Sequence, residues 1–153
     1  PMHQLELRLP PLPLTFIFAV FIWITDSLLP LGFDFTGQAL LASFFLFLGL
    51  LFILPAAFSF FKAKTTVDPR TPNKSNTLVI SGLYKISRNP MYVGMLLCLI
   101  ALSVAQGNLI SVLISFLFAL YLTRFQIKPE ERFLTEKFGE QYLQYCEQVR
   151  RWL

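Results

Sequence analysis

The residues Ser81 to Gly94, Ser-Gly-Leu-Tyr-Lys-Ile-Ser-Arg-Asn-Pro-Met-Tyr-Val-Gly, form the stretch of this sequence richest in groups able to do chemistry. Asn89 followed by Pro90 is a helix start, with Asn at the N-cap and Pro at the first helical position. A helix start presents free N–H groups and positive dipole character, so it takes a carboxylate or a phosphate. Arg88 beside it adds a full charge. Gly94, one turn further on, lets another backbone or a flat ligand come close. The plainer reading of the same residues is a capped helix start at a membrane surface. A second stretch, Arg124 to Arg132, places Arg124, Lys128 and Glu131 at i, i+4 and i+7, on one face if a helix runs through. Pro129 can instead open a new helix, with Glu130 and Glu131 in its first turn. The bland alternative is a charged boundary where a span leaves the membrane. Arg124, however, lies at the hydrocarbon edge and calls for a partner or an aqueous cavity. The sequence has no P-loop, no nucleotide-binding glycine fingerprint and no cluster with metal-ligand spacing. His3 is its only histidine. These features point away from a metal site and from His-based acid–base chemistry.

The elements that must position these residues follow from hydropathy. Of 153 residues, 55% are hydrophobic and 14% charged, and the mean hydropathy is +0.59. A soluble domain of this size cannot bury so much apolar surface. The expected fold is an all-α membrane protein, one integral domain with about four spans: 12–31, 38–61, 90–106 and 109–127. The first run lacks a small-residue cleavage site and reads as a retained span. Pro55 is expected to kink the second. Gln106-Gly107-Asn108 is a tight turn, so the third and fourth spans form a helical hairpin. All 13 Lys and Arg fall on one side: Arg8, six from Lys62 to Arg88, and six from Arg124 to Arg151. By the positive-inside rule both termini and the loop 62–89 face the cytoplasm. Asp26, on the other side, reads as interfacial. The one-sided charge orients the helices, and no nucleic-acid partner is expected. In the tail, 128–153, Leu134, Phe138, Tyr142, Tyr145, Val149 and Trp152 make one apolar stripe, interrupted at Gly139. That stripe suits an interfacial helix anchored by Trp152, or a lid over a site at the middle loop. Cys98 and Cys146 read as packing residues rather than a disulfide pair.

Four short segments share an order and a spacing. They are Leu78-Val79-Ile80-Ser81-Gly82-Leu83-Tyr84, then Arg88-Asn89-Pro90-Met91-Tyr92-Val93-Gly94, then Pro129-Glu130-Glu131, and finally Phe138-Gly139-Glu140-Gln141-Tyr142. Together, around a helical hairpin, they resemble the membrane methyltransferases: the isoprenylcysteine carboxyl methyltransferases and the phospholipid methyltransferases, and in particular their small bacterial members. The resemblance runs from about Thr65 to Leu153. The usual pattern there is Arg-His-Pro, and Asn89 stands in the His position, where it hydrogen-bonds but does not titrate. The resemblance implies S-adenosylmethionine as methyl donor, bound at the cytosolic face. It places Tyr84, Arg88, Asn89, Pro90, Tyr92, Gly94, Glu130 and Glu131 in the cofactor pocket. Arg124 and Glu131 are the candidate catalytic residues. The implied substrate is a lipid or a lipidated small molecule or protein, the location a bacterial inner membrane, and the reaction carboxyl O-methylation. The alternatives are a phospholipid amine N-methyltransferase, a non-catalytic membrane protein that keeps the fold, and a sterol-type reductase, for which the chain is short.

Overall fold

The computed structural model describes residues 6–29, 31–63 and 77–153, and its elements are helices. They are α1 (Pro11–Leu28), α2 (Gln38–Lys62), a 3-10 turn (Gly82–Lys85), α3 (Pro90–Gln106), α4 (Leu109–Leu122), a π turn (Thr123–Ile127), α5 (Lys128–Phe138) and α6 (Glu140–Gln148). His3 and residues 64–76 of the expected loop lie outside the described residues. Three helical stretches are long and apolar enough to cross a membrane: α1, α2, and the continuous run Leu109–Phe138. The 17-residue α3 is a shorter apolar helix. Phe16, Trp23, Leu40, Phe58 and Leu120 all point outward from the bundle. Outward-facing apolar side chains along whole helices need lipid as their solvent. The chain is an integral membrane protein.

Helices α2 and α3 form the closest pair, and two glycines allow it. A Cβ built on Gly94 would lie 2.6 Å from the carbonyl oxygen of Gly49 and 2.5 Å from Ile53, while one on Gly49 would lie 2.8 Å from the Gly94 carbonyl. Small residues that let backbones touch are the usual means of packing helices in lipid, where the hydrophobic effect gives no drive for association. Leu99, Phe118, Leu122, Ile22 and Leu14 fill the space where α1, α3 and α4 meet. Between them lies a buried serine group: Ser103 and Ser115 are hydrogen-bonded at 3.0 Å, and Ser103 also donates to the Leu99 carbonyl at 2.9 Å.

The end of the bundle away from the basic residues is tied by backbone. The α3–α4 turn carries Gly107 at φ +67, and a Cβ there would strike the Phe33 carbonyl oxygen at 2.2 Å. Phe33 N–H donates to the Gly107 carbonyl at 2.6 Å, so the α1–α2 connection is pinned to the α3–α4 turn. Asn108, fully buried, caps α4 by accepting from Ile110 N–H at 3.0 Å and Ser111 N–H at 3.3 Å. Its amide donates to the Leu29 carbonyl at 2.8 Å and to Asp26 at 3.2 Å. Asp26 is therefore a partner of Asn108 rather than a lone interfacial acid. The first helix closes at Leu28, three residues before the expected boundary, because this knot takes over the chain there.

Because α2 and α3 are in backbone contact, Gly94→Val forces them apart. It is expected to destabilise the protein by about 1–3 kcal/mol, read as a lower unfolding midpoint in detergent by tryptophan fluorescence. An Ala in place of Gly32, whose Cβ would stand in ordinary contact 3.6 Å from the Gly107 carbonyl oxygen, should shift the midpoint less.

Candidate active site

The site is assembled where three segments converge: the loop into α3, the first turn of α5, and the chain after α6. Glu131 is its centre. Its Oε1 accepts from Arg151 Nε at 2.8 Å and lies 3.2 Å from Arg88 Nη1, and its Oε2 accepts from Arg151 Nη2 at 2.9 Å. This is a bidentate guanidinium–carboxylate pair with a second arginine beside it, and the Arg88 and Glu131 side chains are only 13% and 18% exposed. The hydrogen bonds from Glu131 push the Arg151 guanidinium further up from its ordinary value. Arg88 Nη1 also reaches Cys146 Sγ at 2.8 Å. Arg88 Nε, however, is buried with no hydrogen-bond partner among the described residues.

The chain after α6 crosses the start of α3. Arg88 N–H donates to the Arg150 carbonyl at 3.0 Å, and the Asn89 side-chain amide donates to the Arg151 carbonyl at 2.9 Å. Asn89 thus occupies the N-cap position without capping through its side chain, contrary to the sequence expectation. Its amide is used to hold the tail. Pro90 is at the first helical position as expected. Trp152 donates through Nε1 to Thr123 Oγ1 at 3.1 Å, so it ties the tail to the π turn. Helix α6 buries Tyr142 and Tyr145 against Tyr84, Leu83 and Leu78, and Tyr145 donates to the Tyr84 carbonyl at 2.7 Å. Burial pushes the Tyr84 and Tyr145 phenols well up, so both are neutral. The tail packs as a cover over the loop before α3, which is compatible with its lying at the membrane interface.

Glu130 points elsewhere. Its Oε1 accepts from Tyr92 Oη at 2.9 Å and from Gln126 Nε2 at 2.7 Å, two neutral donors. Adjacent glutamates are therefore sorted into different surroundings, one among arginines and one among neutral groups. The π turn accounts for part of this. The helix does run through from α4 to α5, as one sequence alternative held, but the π turn adds a residue to the turn and shifts the register. Arg124 and Glu131 consequently do not pair: Arg124 Nη1 contacts Glu6 at 2.9 Å, and Glu131 faces Arg88 and Arg151. Gly94 is occupied by α2, as described above. Tyr84 is packed edge-on against Phe60, 5.4 Å between ring centroids. An open cleft of about 490 Å³ borders the cluster, lined by Lys128, Glu131, Arg132, Thr135, Glu136 and Arg151.

Residues 38–141 match the phospholipid methyltransferase family. The chain belongs to that family. Its similarity extends to a protein-S-isoprenylcysteine O-methyltransferase of Schizosaccharomyces pombe, 33% identical over 94% of this chain and 53% of that protein. It is also similar to protein-S-isoprenylcysteine O-methyltransferase A of Arabidopsis thaliana, 39% identical over 47% of this chain and 36% of the relative. An uncharacterised protein of Haemophilus influenzae is 43% identical over 41% of this chain and 100% of its own length. The chain thus spans about half of the yeast relative and about a third of the plant one. No solved structure matches it. In this family member the matched region holds the loop before α3 and both glutamates, while Arg151 and Trp152 fall beyond it.

Sequence reasoning missed Arg151, Gln126 and Cys146 as site residues. The signal for Arg151 was available, since two adjacent acids in one segment call for basic partners and Arg150-Arg151 close the apolar stripe. The different surroundings of the two glutamates give a direct comparison. Glu131→Gln leaves the largely buried Arg88 guanidinium and the more exposed Arg151 without their shared counter-ion and is expected to cost about 2 kcal/mol. Glu130→Gln keeps an acceptor for Tyr92 and should cost under about 1 kcal/mol. Thermal unfolding of the ligand-free protein in detergent checks the difference.

Proposed function

We propose that this chain is an S-adenosylmethionine-dependent methyltransferase of the cytoplasmic face, in a bacterial inner membrane, that esterifies the carboxylate of a lipophilic or lipidated acceptor. The observation that carries the reading is the Arg88–Glu131–Arg151 cluster with a buried, unpaired donor. A buried Arg88 Nε lacking an acceptor among the described residues suits an incoming carboxylate. Glu131, between two arginines, is the acid available to an ammonium. The amino-acid end of S-adenosylmethionine presents this pair of charges, so the donor set fits the group. When bound it supplies a methyl on a positively charged sulfur, the electrophile of an in-line displacement. Arg88 is assigned to its carboxylate and Glu131 to its ammonium, with Arg151 holding Glu131 in place. Tyr84, Asn89, Pro90, Tyr92 and Glu130 form the wall behind them, and Gly94 supports that wall through α2.

The acceptor side follows from what the glutamates can do. Displacement at a sulfonium by a carboxylate brings opposite charges together and neutralises them, so it gains from alignment and from exclusion of water. No base is required, because the acid is already ionised at neutral pH. Glu131 has both oxygens on arginine and is poorly placed to take a proton from an amine. Arg124, at the cytoplasmic end of the α4 span, is the residue assigned to orient the acceptor carboxylate. The one-sided Lys and Arg support a cytoplasmic position for this end of the bundle. The description of the matching family favours a second reading, methylation of a phospholipid amine. Glu130, among neutral donors, would be its base.

Calorimetry in nanodiscs tests the cofactor. Saturable S-adenosylmethionine binding is expected, weakened about tenfold or more by Arg88→Gln and by Glu131→Ala, a loss of about 1.4 kcal/mol or more each. Absence of saturable binding in the wild type would overturn the reading, and unchanged affinity in both variants would overturn the placement. Transfer of a labelled methyl group into a total membrane lipid extract separates the acceptors: label in a base-labile ester supports the acid, and label in an amine supports the second reading.

A further inference from the structure

Arg124 is already in contact with a carboxylate, that of Glu6, and the manner of the contact is unusual for a surface ion pair. Glu6 Oε1 accepts from Arg124 Nη1 at 2.9 Å, and its Oε2 accepts from Arg132 Nη2. One oxygen on each of two guanidinium groups is how a binding site grips a carboxylate. The Glu6 side chain is 12% exposed, against 36% for Arg124 and 54% for Arg132, so the acid is the member drawn inward. The N-terminal segment is fixed there by its own backbone: Leu7 N–H donates to the Phe125 carbonyl, on the π turn, at 3.0 Å. Leu7 adopts φ +57, the only non-glycine residue with positive φ among those described. That conformation is disfavoured for a leucine and persists only where surrounding contacts enforce it. The Arg124 guanidinium is further set by lying over the Phe125 ring, 5.4 Å from its centroid. Arg132 also lines the open cleft that Glu131 and Arg151 line, so one member of the two-arginine grip borders the cofactor cluster.

We propose that Arg124 and Arg132 together receive the carboxylate of the lipophilic acceptor, and that Glu6 is an internal placeholder that yields to the acid and returns against the ester. This rests on the methyltransferase reading above and deepens it. In the reaction an acceptor carboxylate oxygen forms a bond to the methyl carbon as the carbon–sulfur bond of the sulfonium breaks. The electron pair of that bond stays on sulfur, giving a neutral thioether. Acceptor and donor each lose their charge, and no proton moves. The product ester has no ionic hold on the two arginines, so the Glu6 carboxylate outcompetes it where it did not outcompete the acid. Discrimination between substrate and product then comes from the two arginines, which hold only the charged acid strongly enough to displace Glu6.

The test uses the full chain in nanodiscs of neutral lipid without cofactor, with N-acetyl-S-farnesylcysteine and its methyl ester as probes. Glu6→Gln is expected to tighten binding of the acid about fivefold and leave the ester unchanged, while Arg132→Gln weakens the acid about tenfold. Arg132 is half exposed, so its replacement leaves a folded protein even if Glu6→Gln loosens the N-terminal segment. Acid affinity within about twofold of wild type in both variants overturns the proposal. Equal tightening of acid and ester in Glu6→Gln also overturns it, since Glu6 would then be only a steric plug. Displacement by dioleoylphosphatidate with no binding of the acid would assign the arginines to phosphate, and would overturn it as well. S-adenosylmethionine calorimetry on the same wild-type sample separates the two failures, because the carboxylate measurement does not depend on the cofactor.

Discussion

The shared counter-ion at Glu131 links parts of the chain that are far apart in sequence. Arg88 comes from the loop before α3 and Arg151 from the end of the tail, and Arg88 would be a costly buried charge without the acid between them. Bringing both to one carboxylate also brings their backbones together, and the N–H of Arg88 then finds the Arg150 carbonyl. Asn89 adds its amide to the Arg151 carbonyl. The position of the tail, the seating of α6 on Tyr84 and the hydrogen bond from Trp152 to the π turn all depend on that ionic centre.

The same centre reconciles two solvents. Helices that present Phe, Leu and Trp to lipid cannot place a charged cluster anywhere along their length, yet a chemistry of charged groups needs a dry, shaped setting. The chain meets both demands at the end of the spans. There the loop before α3, the first turn of α5 and the tail close over one another outside the hydrocarbon. The π turn supports this division, because it rotates the helix so that Glu131 faces the tail while Arg124 faces the N-terminal segment.

Much of this was legible in the sequence, and what was missed has physical reasons. The bounds of the helix 90–106 are legible to the residue because Asn-Pro and Gly-Asn punctuate it at both ends. The break at Gly139 and the hairpin turn were equally plain. The role of Asn89 was not, because an Asn before Pro satisfies the capping rule whether or not its amide finds a better use. Gly94 admitted two readings, a ligand or another backbone, and only the approach of Gly49 decides between them. The face shared by Arg124 and Glu131 assumed a 3.6-residue period, and one π turn is enough to spoil that count. Glu6 left no trace in any motif, since its partners lie more than a hundred residues away.

The knot around Asn108 gives the bundle unequal ends. Parting the helices there would strip the fully buried Asn108 amide and the backbone groups it holds of their partners. Parting them at the other end hands ionic groups to water, which solvates them and offsets part of the cost of their separation. The molecule is built like a clothes-peg, stiff at the sprung end and compliant at the jaws. A guest arriving sideways from the lipid meets the jaws.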